Sequence, residues 1–370
     1  EEVPSDDESS REGEKDKERT KFTRSQKALM KKLDRNVKRA RDTEDAANDA
    51  EYEKFLKEAE ESNNILFASG PPGTGKTHVV HTAIRRWTRK GARILFALPT
   101  GQLASTIRAL HPNIDVDTSH GAFLFHRPLS EALAILSQYD LVIIDEVSML
   151  TDVHFERILE MWKAVSKVPA LVLLGDFWQM PVADKSGKRC EESDAWKSHV
   201  QIIPFYEQVR CKDPALQRKL NCLRTSVPSM KMLKTILRNH RAWKTKEPTA
   251  WDVLELTRKH ENTVIVTCTR RGATLVNRLA QQVLYQDKHK RCIGTARFDY
   301  ETNSDNFTEE GKLRGGKLEG ATTKIYKGLR LCLTRNLNKK DDFVNGMQCV
   351  VEDYNEDSNC LEVITKTNKR

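Results

Sequence analysis

No run of this sequence is apolar for long enough to cross a bilayer, and no signal-peptide core is present, so the expectation is a soluble intracellular protein. The eight cysteines are scattered, without a Cys-x-x-Cys pair and without a His/Cys grouping at zinc-ligand spacing. That excludes a legible metal-thiolate centre or dithiol redox motif and predicts free thiols in a reducing compartment. No internal repeat occurs. Apolar residues are almost missing from the first twenty positions, where Val3 is the one clear case, so residues 1–21 read as a disordered charged tail. The first residue is Glu1 and not Met, which suggests a fragment.

Charge is what the chain has in excess. Charged residues make up 31% of it and the formal balance is +9, which favours a polyanionic partner. A length of 370 residues allows two domains with real cores.

Residues 22–61 suit a polar helix with one narrow buried stripe at Leu29, Leu33 and Val37. From there, short apolar runs at 65–68, 94–98, 141–144 and 170–174 alternate with stretches of helical length at 77–87 and 153–165. Runs that are apolar on both faces suit central strands of a parallel sheet covered by helices, which makes 62–209 a doubly wound α/β domain. Residues 210–254 read as a basic helical connector. Beyond it, a strand is expected at 263–268, a helix at 273–284, polar loop-rich sequence at 288–322, and strand-like sequence at 329–333 and 348–351.

Between the first strand and the first helix of that domain lies Gly-Pro-Pro-Gly-Thr-Gly-Lys-Thr, positions 70–77. Gly70, Gly73, Thr74 and Gly75 let backbone amides curl around phosphates. Lys76 supplies charge at the β/γ oxygens, Thr77 offers a hydroxyl to Mg2+, and the following helix adds its positive end. The strand at 141–144 ends in Asp145, suited to the magnesium shell, and Glu146, suited to orient and deprotonate an attacking water. The strand at 170–174 leads to Gly175-Asp-Phe-Trp-Gln, where Gln179 is the candidate γ-phosphate sensor and Trp178 could stack on a base or fill the core, with core the favoured reading. Thr100 and His120 are candidate donors to the phosphates or bases of a nucleic-acid strand, though both residue types also serve as caps and core polar groups. The basic stretch 210–246, with Trp243, could line such a strand or present a solvated face.

In order, these segments resemble superfamily 1 DNA helicases of the petite integration frequency (PIF) and RecD type. Motif I is similar to 70–77, motif Ia to 99–101, motif Ib to 118–123, motif II to 145–149 and motif III to 175–179. The segment from Tyr206 to Asp213, with Leu220-Asn-Cys-Leu-Arg after it, is similar to the motif IV region, where an arginine reaches the γ-phosphate; Arg210 is that candidate. The resemblance implies a RecA-like phosphate-loop NTPase domain with a parallel sheet, ATP and Mg2+ as ligands, and single-stranded DNA and DNA junctions as partners. It also implies 5′-to-3′ movement, action as a monomer, no membrane, and the nucleus ahead of mitochondrion or cytosol. Motif III departs from the family's Gln-Leu-Pro-Pro by reading Gln-Met-Pro-Val. Motifs V and VI, the latter with a second arginine, do not occur before Arg370, so 255–370 is expected to be a partial second RecA-like domain and the motor to be partial. The family's adenine-side glutamine has no convincing counterpart just ahead of the first strand, and Gln26, distant from it in the sequence, is the one candidate. Two other readings stand beside the helicase: an AAA-type ATPase that remodels proteins, and an inactive nucleic-acid-binding remnant of a mobile-element helicase.

Overall fold

The computed structural model describes residues 22–45, 65–165, 168–180, 182, 188–238, 242–260, 263–285, 292–297, 322–334, 336–339, 341–355, 358 and 360–370. The expected charged tail, the second half of the polar helical segment and most of the 288–322 loop lie outside the described residues. The chain divides into two compact units, Glu1–Thr225 and Ser226–Arg370.

The first unit is built on one parallel sheet. Its strands are β1 (Ile65–Ser69), β2 (Ile94–Leu98), β3 (Asp115–Thr118), β4 (Leu141–Ile144), β5 (Ala170–Gly175) and β6 (Val200–Pro204), in the spatial order β3-β2-β4-β5-β1-β6. Every pairing is parallel, with Leu66 opposite Val172 and Ile143 opposite the same Val172 across β5. Parallel pairing brings all the carboxyl ends to one edge, where ligands of open α/β sheets bind.

Alternate residues of each strand enter two separate cores. Leu66, Ala68, Phe96, Ile143 and Val172 face one side; Ile65, Phe67, Leu95, Ile144 and Leu173 face the other. The first side is covered by α1 (Arg24–Asp45), α2 (Lys76–Thr88) and α3 (Gly101–Leu110). The expected stripe of α1 is there, because Leu29, Leu33 and Val37 are fully buried. Buried Val79, Val80, Ala83, Ile84 and Trp87 recur on one face of α2, and the Trp87 indole N–H donates to Asp34 of α1 at 2.9 Å. After β3 comes the single turn α4 (Ser119–Ala122). The second side is covered by α5 (Leu129–Leu136), α6 (Asp152–Ala164) and α7 (Asp194–His199), with Phe67, Phe155, Phe177 and Trp196 packed ring to ring. The unit ends with α8 (Pro214–Thr225), so the segment read as a connector is divided after Thr225.

The second unit holds α9 (Met230–Leu237), α10 (Ala250–Lys259) and α11 (Arg270–Leu284). A capping box between Thr249 and Asp252 starts α10. Its strands are β7 (Cys292–Arg297), β8 (Thr322–Tyr326), β9 (Arg330–Cys332), β10 (Gln348–Asn355) and β11 (Cys360–Thr365), paired antiparallel as β7-β8 and β11-β10-β9. Two local expectations are corrected. Residues 263–268 form no strand, since Val264 and Val266 are 68% and 89% exposed and none of the described residues pairs with them. Residues 292–297, expected as loop, are a strand because β8 supplies a hydrogen-bonding edge that no local pattern announces. All eight cysteines are free. Among the described residues, no helix is long and apolar enough to cross a membrane.

Candidate functional site

The loop between β1 and α2 curls as its glycines require. Gly73 and Gly75 have φ of +83° and +82°, the left-handed region that favours glycine. A β-carbon on Gly75 would run into the Gln26 side-chain amide, and one on Gly73 would lie 3.0 Å from the Arg210 β-carbon. Gly75 is also the residue from which α2 starts, so the free amides of the first helical turn open onto the loop. Thr74 is buried, its hydroxyl donating to the Pro71 carbonyl oxygen at 2.9 Å, and Thr77 stands partly exposed in that first turn.

Lys76 folds back over the loop, donating to the carbonyl oxygens of Gly70 at 2.6 Å and Pro71 at 3.0 Å. Burial lowers its pKa, against the opposing pull of Asp176, Asp145 and Glu146. Those three acids follow β5 and β4, and β5 lies between β1 and β4 in the sheet. Lys76 thus feels the charge of all three acids at this edge of the sheet. Asp145 is pushed up to about 6 by burial first; the Glu146 amide, donating to its Oδ1 at 2.8 Å, and Lys76 oppose the rise, and the Glu146 charge adds to it. Glu146 has φ of +52° and ψ of +45°, a left-handed conformation strained for a glutamate. The turn throws its carboxylate out of strand direction immediately after Asp145.

Gln179 is exposed at the same edge, and its side-chain amide donates to Asp176 Oδ2 at 3.2 Å. Trp178, read from sequence as core, is 72% exposed. The aromatic core beneath it is already filled by Phe177, which packs against Phe67 and Trp196, so the next side chain along the turn points to solvent.

The segment after β6 lies directly on the phosphate loop. The amides of Val209 and Arg210 both donate to the Gly73 carbonyl oxygen, at 2.9 and 3.0 Å, and Gln208 Nε2 donates to that of Pro72 at 2.6 Å. Arg210 is thus anchored by its backbone beside Gly73 with its side chain exposed. Gln208 Oε1 is buried with no hydrogen-bond partner among the described residues. Gln26, the candidate far off in the sequence, lies against the loop: it is 3% exposed and its Nε2 donates to the Thr74 carbonyl oxygen at 3.2 Å. The sequence separation misleads because α1 packs along α2 and delivers Gln26 to the loop.

Thr100 and His120 lie after β2 and β3, on the same side of the sheet edge. The Thr100 hydroxyl caps α3, accepting from the Leu103 amide at 3.4 Å. His120 is exposed, with its ring edge-on to Phe125 and His154 at centroid distances of 5.2 and 5.1 Å. Sequence reading left three residues of this arrangement without a site role: Asp176, Gln208 and Arg224. All three stood inside the motif segments compared above, but no local feature gave any of them a partner.

A family model described as an AAA domain matches residues 54–185, from the approach to β1 past the Gln179 turn. The PIF1 ATP-dependent DNA helicase of Trypanosoma brucei brucei is 31% identical over 131 residues, which is 33% of this chain and 13% of that protein. The RecD subunit of the RecBCD enzyme of Buchnera aphidicola is 26% identical over 184 residues, 40% of this chain and 29% of that protein. The matches thus span 13% and 29% of the length of these curated relatives. Among solved structures, a Bacteroides Pif1 helicase in complex with ADP-AlF3 and ssDNA superposes with a TM-score of 0.56 at 19% identity, covering 86% of this chain and 72% of that one. The Candida albicans Pif1 helicase gives 0.52 at 22%, covering 83% and 69%. Those two likenesses speak for the fold. The sequence matches are to helicases of PIF1 and RecD type, and the likenesses in fold, with the parallel sheet, are to Pif1 helicases.

Proposed function

We propose that this chain is the ATP-hydrolysing part of a DNA helicase motor, coupling turnover to movement along single-stranded DNA. The observation that carries the reading is the convergence, on one edge of a parallel sheet, of Lys76 from the β1 loop, Asp145 and Glu146 from β4, and Asp176 and Gln179 from β5. Such a cradle suits a metal-bound triphosphate. Thr77 and Asp145, a hydroxyl and a carboxylate, are donors that Mg2+ accepts when substrate phosphates complete its shell. Bound there, the ion would neutralise charge on the β- and γ-phosphates.

The protein's own groups divide the remaining work. Gly73, Thr74 and Gly75 present backbone amides to the phosphates, and Lys76 must leave the carbonyl oxygens of Gly70 and Pro71 to meet them. Glu146 takes a proton from the water that attacks the γ-phosphorus as the bond to ADP breaks. Gln179 senses the γ-phosphate, and Arg210 offers charge where it develops in the transition state. Gln26, against the Thr74 carbonyl, is positioned to read the adenine side. Thr100 and His120 stand on the edge where a strand of DNA would run. Movement from 5′ to 3′ and action as a monomer are further parts of the proposal that rest on the family resemblance alone, while single-stranded DNA and DNA junctions as partners are supported by the neighbours solved with ssDNA and forked DNA.

Steady-state ATP hydrolysis by the chain, with and without single-stranded DNA, tests the reading. Stimulation by DNA is expected. Hydrolysis that ignores DNA but needs ATP-dependent ring assembly would instead support the protein-remodelling alternative, and DNA binding without hydrolysis the inactive remnant.

A further inference from the structure

Asp176 is 1% exposed, yet it accepts four hydrogen bonds. Arg224 of α8 grips it with both terminal nitrogens, at 2.5 and 2.6 Å, and the Trp178 amide donates to Oδ1 at 3.1 Å. The fourth bond is the one from Gln179 Nε2 to Oδ2. An ionised carboxylate accepts only, with room for about four donors, so Asp176 is saturated and the Gln179 amide has one allowed polarity. Its NH2 group must face Asp176, leaving the second N–H and Oε1 for whatever occupies the site.

That polarity depends on Asp176 staying ionised. Burial alone would raise its pKa, and the bidentate guanidinium, the Trp178 amide and Gln179 together hold it below the usual carboxylate range. Removing Arg224 would strip two of four donors from a buried carboxylate. A protonated Asp176 could then donate to the amide oxygen and turn the Gln179 side chain over.

We propose that Arg224 is a positioning residue for γ-phosphate sensing: through Asp176 it sets the orientation of the Gln179 amide. This rests on the nucleotide reading above and adds to it a residue outside the phosphate loop, one position before the end of the first unit at Thr225. The bond geometry gives Arg224 no need to touch nucleotide. Its influence reaches the phosphate through two successive side chains, so its loss should affect only what depends on the third phosphate.

The test measures affinities of the whole chain for mant-ADP and mant-AMPPNP. Wild type is expected to prefer the triphosphate analogue. Arg224→Gln should lose about tenfold of that preference, the scale of one hydrogen bond to a charged group, while mant-ADP affinity stays within about twofold. Arg224→Lys, which keeps the charge but not the bidentate grip, should fall between them, and it serves as the readout if Arg224→Gln does not fold. Adding Asp176→Asn to Arg224→Gln should cost little more than either alone, since both break the same chain of contacts. Full preference retained in Arg224→Gln, with preference lost in Gln179→Ala, would overturn the inference. Equal loss of both nucleotides would also overturn it, by reducing Arg224 to a structural tie. If wild type binds neither probe, the nucleotide reading itself fails, which is a separate result.

Discussion

Gln26 donates its side-chain amide to the Thr74 carbonyl oxygen across 48 positions of sequence, and the two are buried at 3% and 1% exposure. The contact links a helix that precedes the sheet to the loop that would hold the phosphates. Changing Gln26 to Ala would leave a buried carbonyl unpaired, a loss of about 1–3 kcal/mol of folding stability. Urea unfolding measures that loss. If Gln26 also reads the base, the variant should lose preference for ATP over GTP in competition binding, and an unchanged preference would confine it to a structural role.

Lys76→Ala should abolish nucleotide binding and leave the fold intact, because the partly exposed lysine fills no core. Fluorescent-ATP titration and a thermal melt are the two measurements. Affinity close to wild type would remove the phosphate loop from the account.

Glu146 should separate activity from stability. Glu146→Gln keeps the shape but not the base, so ATP should still bind while turnover falls by about 100-fold or more. Glu146→Gly should do the same and also raise stability by up to about 1 kcal/mol, since glycine relieves the left-handed φ of +52°. A melting temperature below wild type for the glycine variant would show that the backbone there is not strained.

His81 and His111 stack with ring centroids 4.8 Å apart, joined by a hydrogen bond of 2.6 Å between His81 Nδ1 and His111 Nε2. Burial first, then His111, Arg85 and His78, bring His81 down to about 4 from an ordinary 6.5. Because the folded value lies below the unfolded one, the unfolded chain takes up the proton first as pH falls. The stability contributed by neutral His81 is full above pH 6.5 and is lost progressively as pH drops toward 4. Melting curves across that window should fall more steeply for wild type than for His81→Gln; parallel curves would contradict the shift.

The strands at 65–68, 94–98, 141–144 and 170–174 were legible because each is apolar on both faces, and a parallel sheet buried between helices demands that pattern locally. The loop at 70–77 was legible for a similar reason: glycine spacing and a following Lys-Thr are needed by the turn itself. Trp178 was misread because its burial depends on Phe177 having already filled the aromatic pocket. The stretch 263–268 was misread because an apolar run becomes a strand only where a neighbouring edge accepts its hydrogen bonds.

Local chemistry in the sequence thus determined the phosphate loop, the acidic pair at 145–146 and the α/β texture around them. The tertiary structure alone decided that β5 stands between β1 and β4, that Gln26 and the 208–210 segment close over the loop, and that Arg224 grips Asp176. These depend on strand order and helix docking, which arise from the fit of whole faces over long separations, so no window of neighbouring residues carries them.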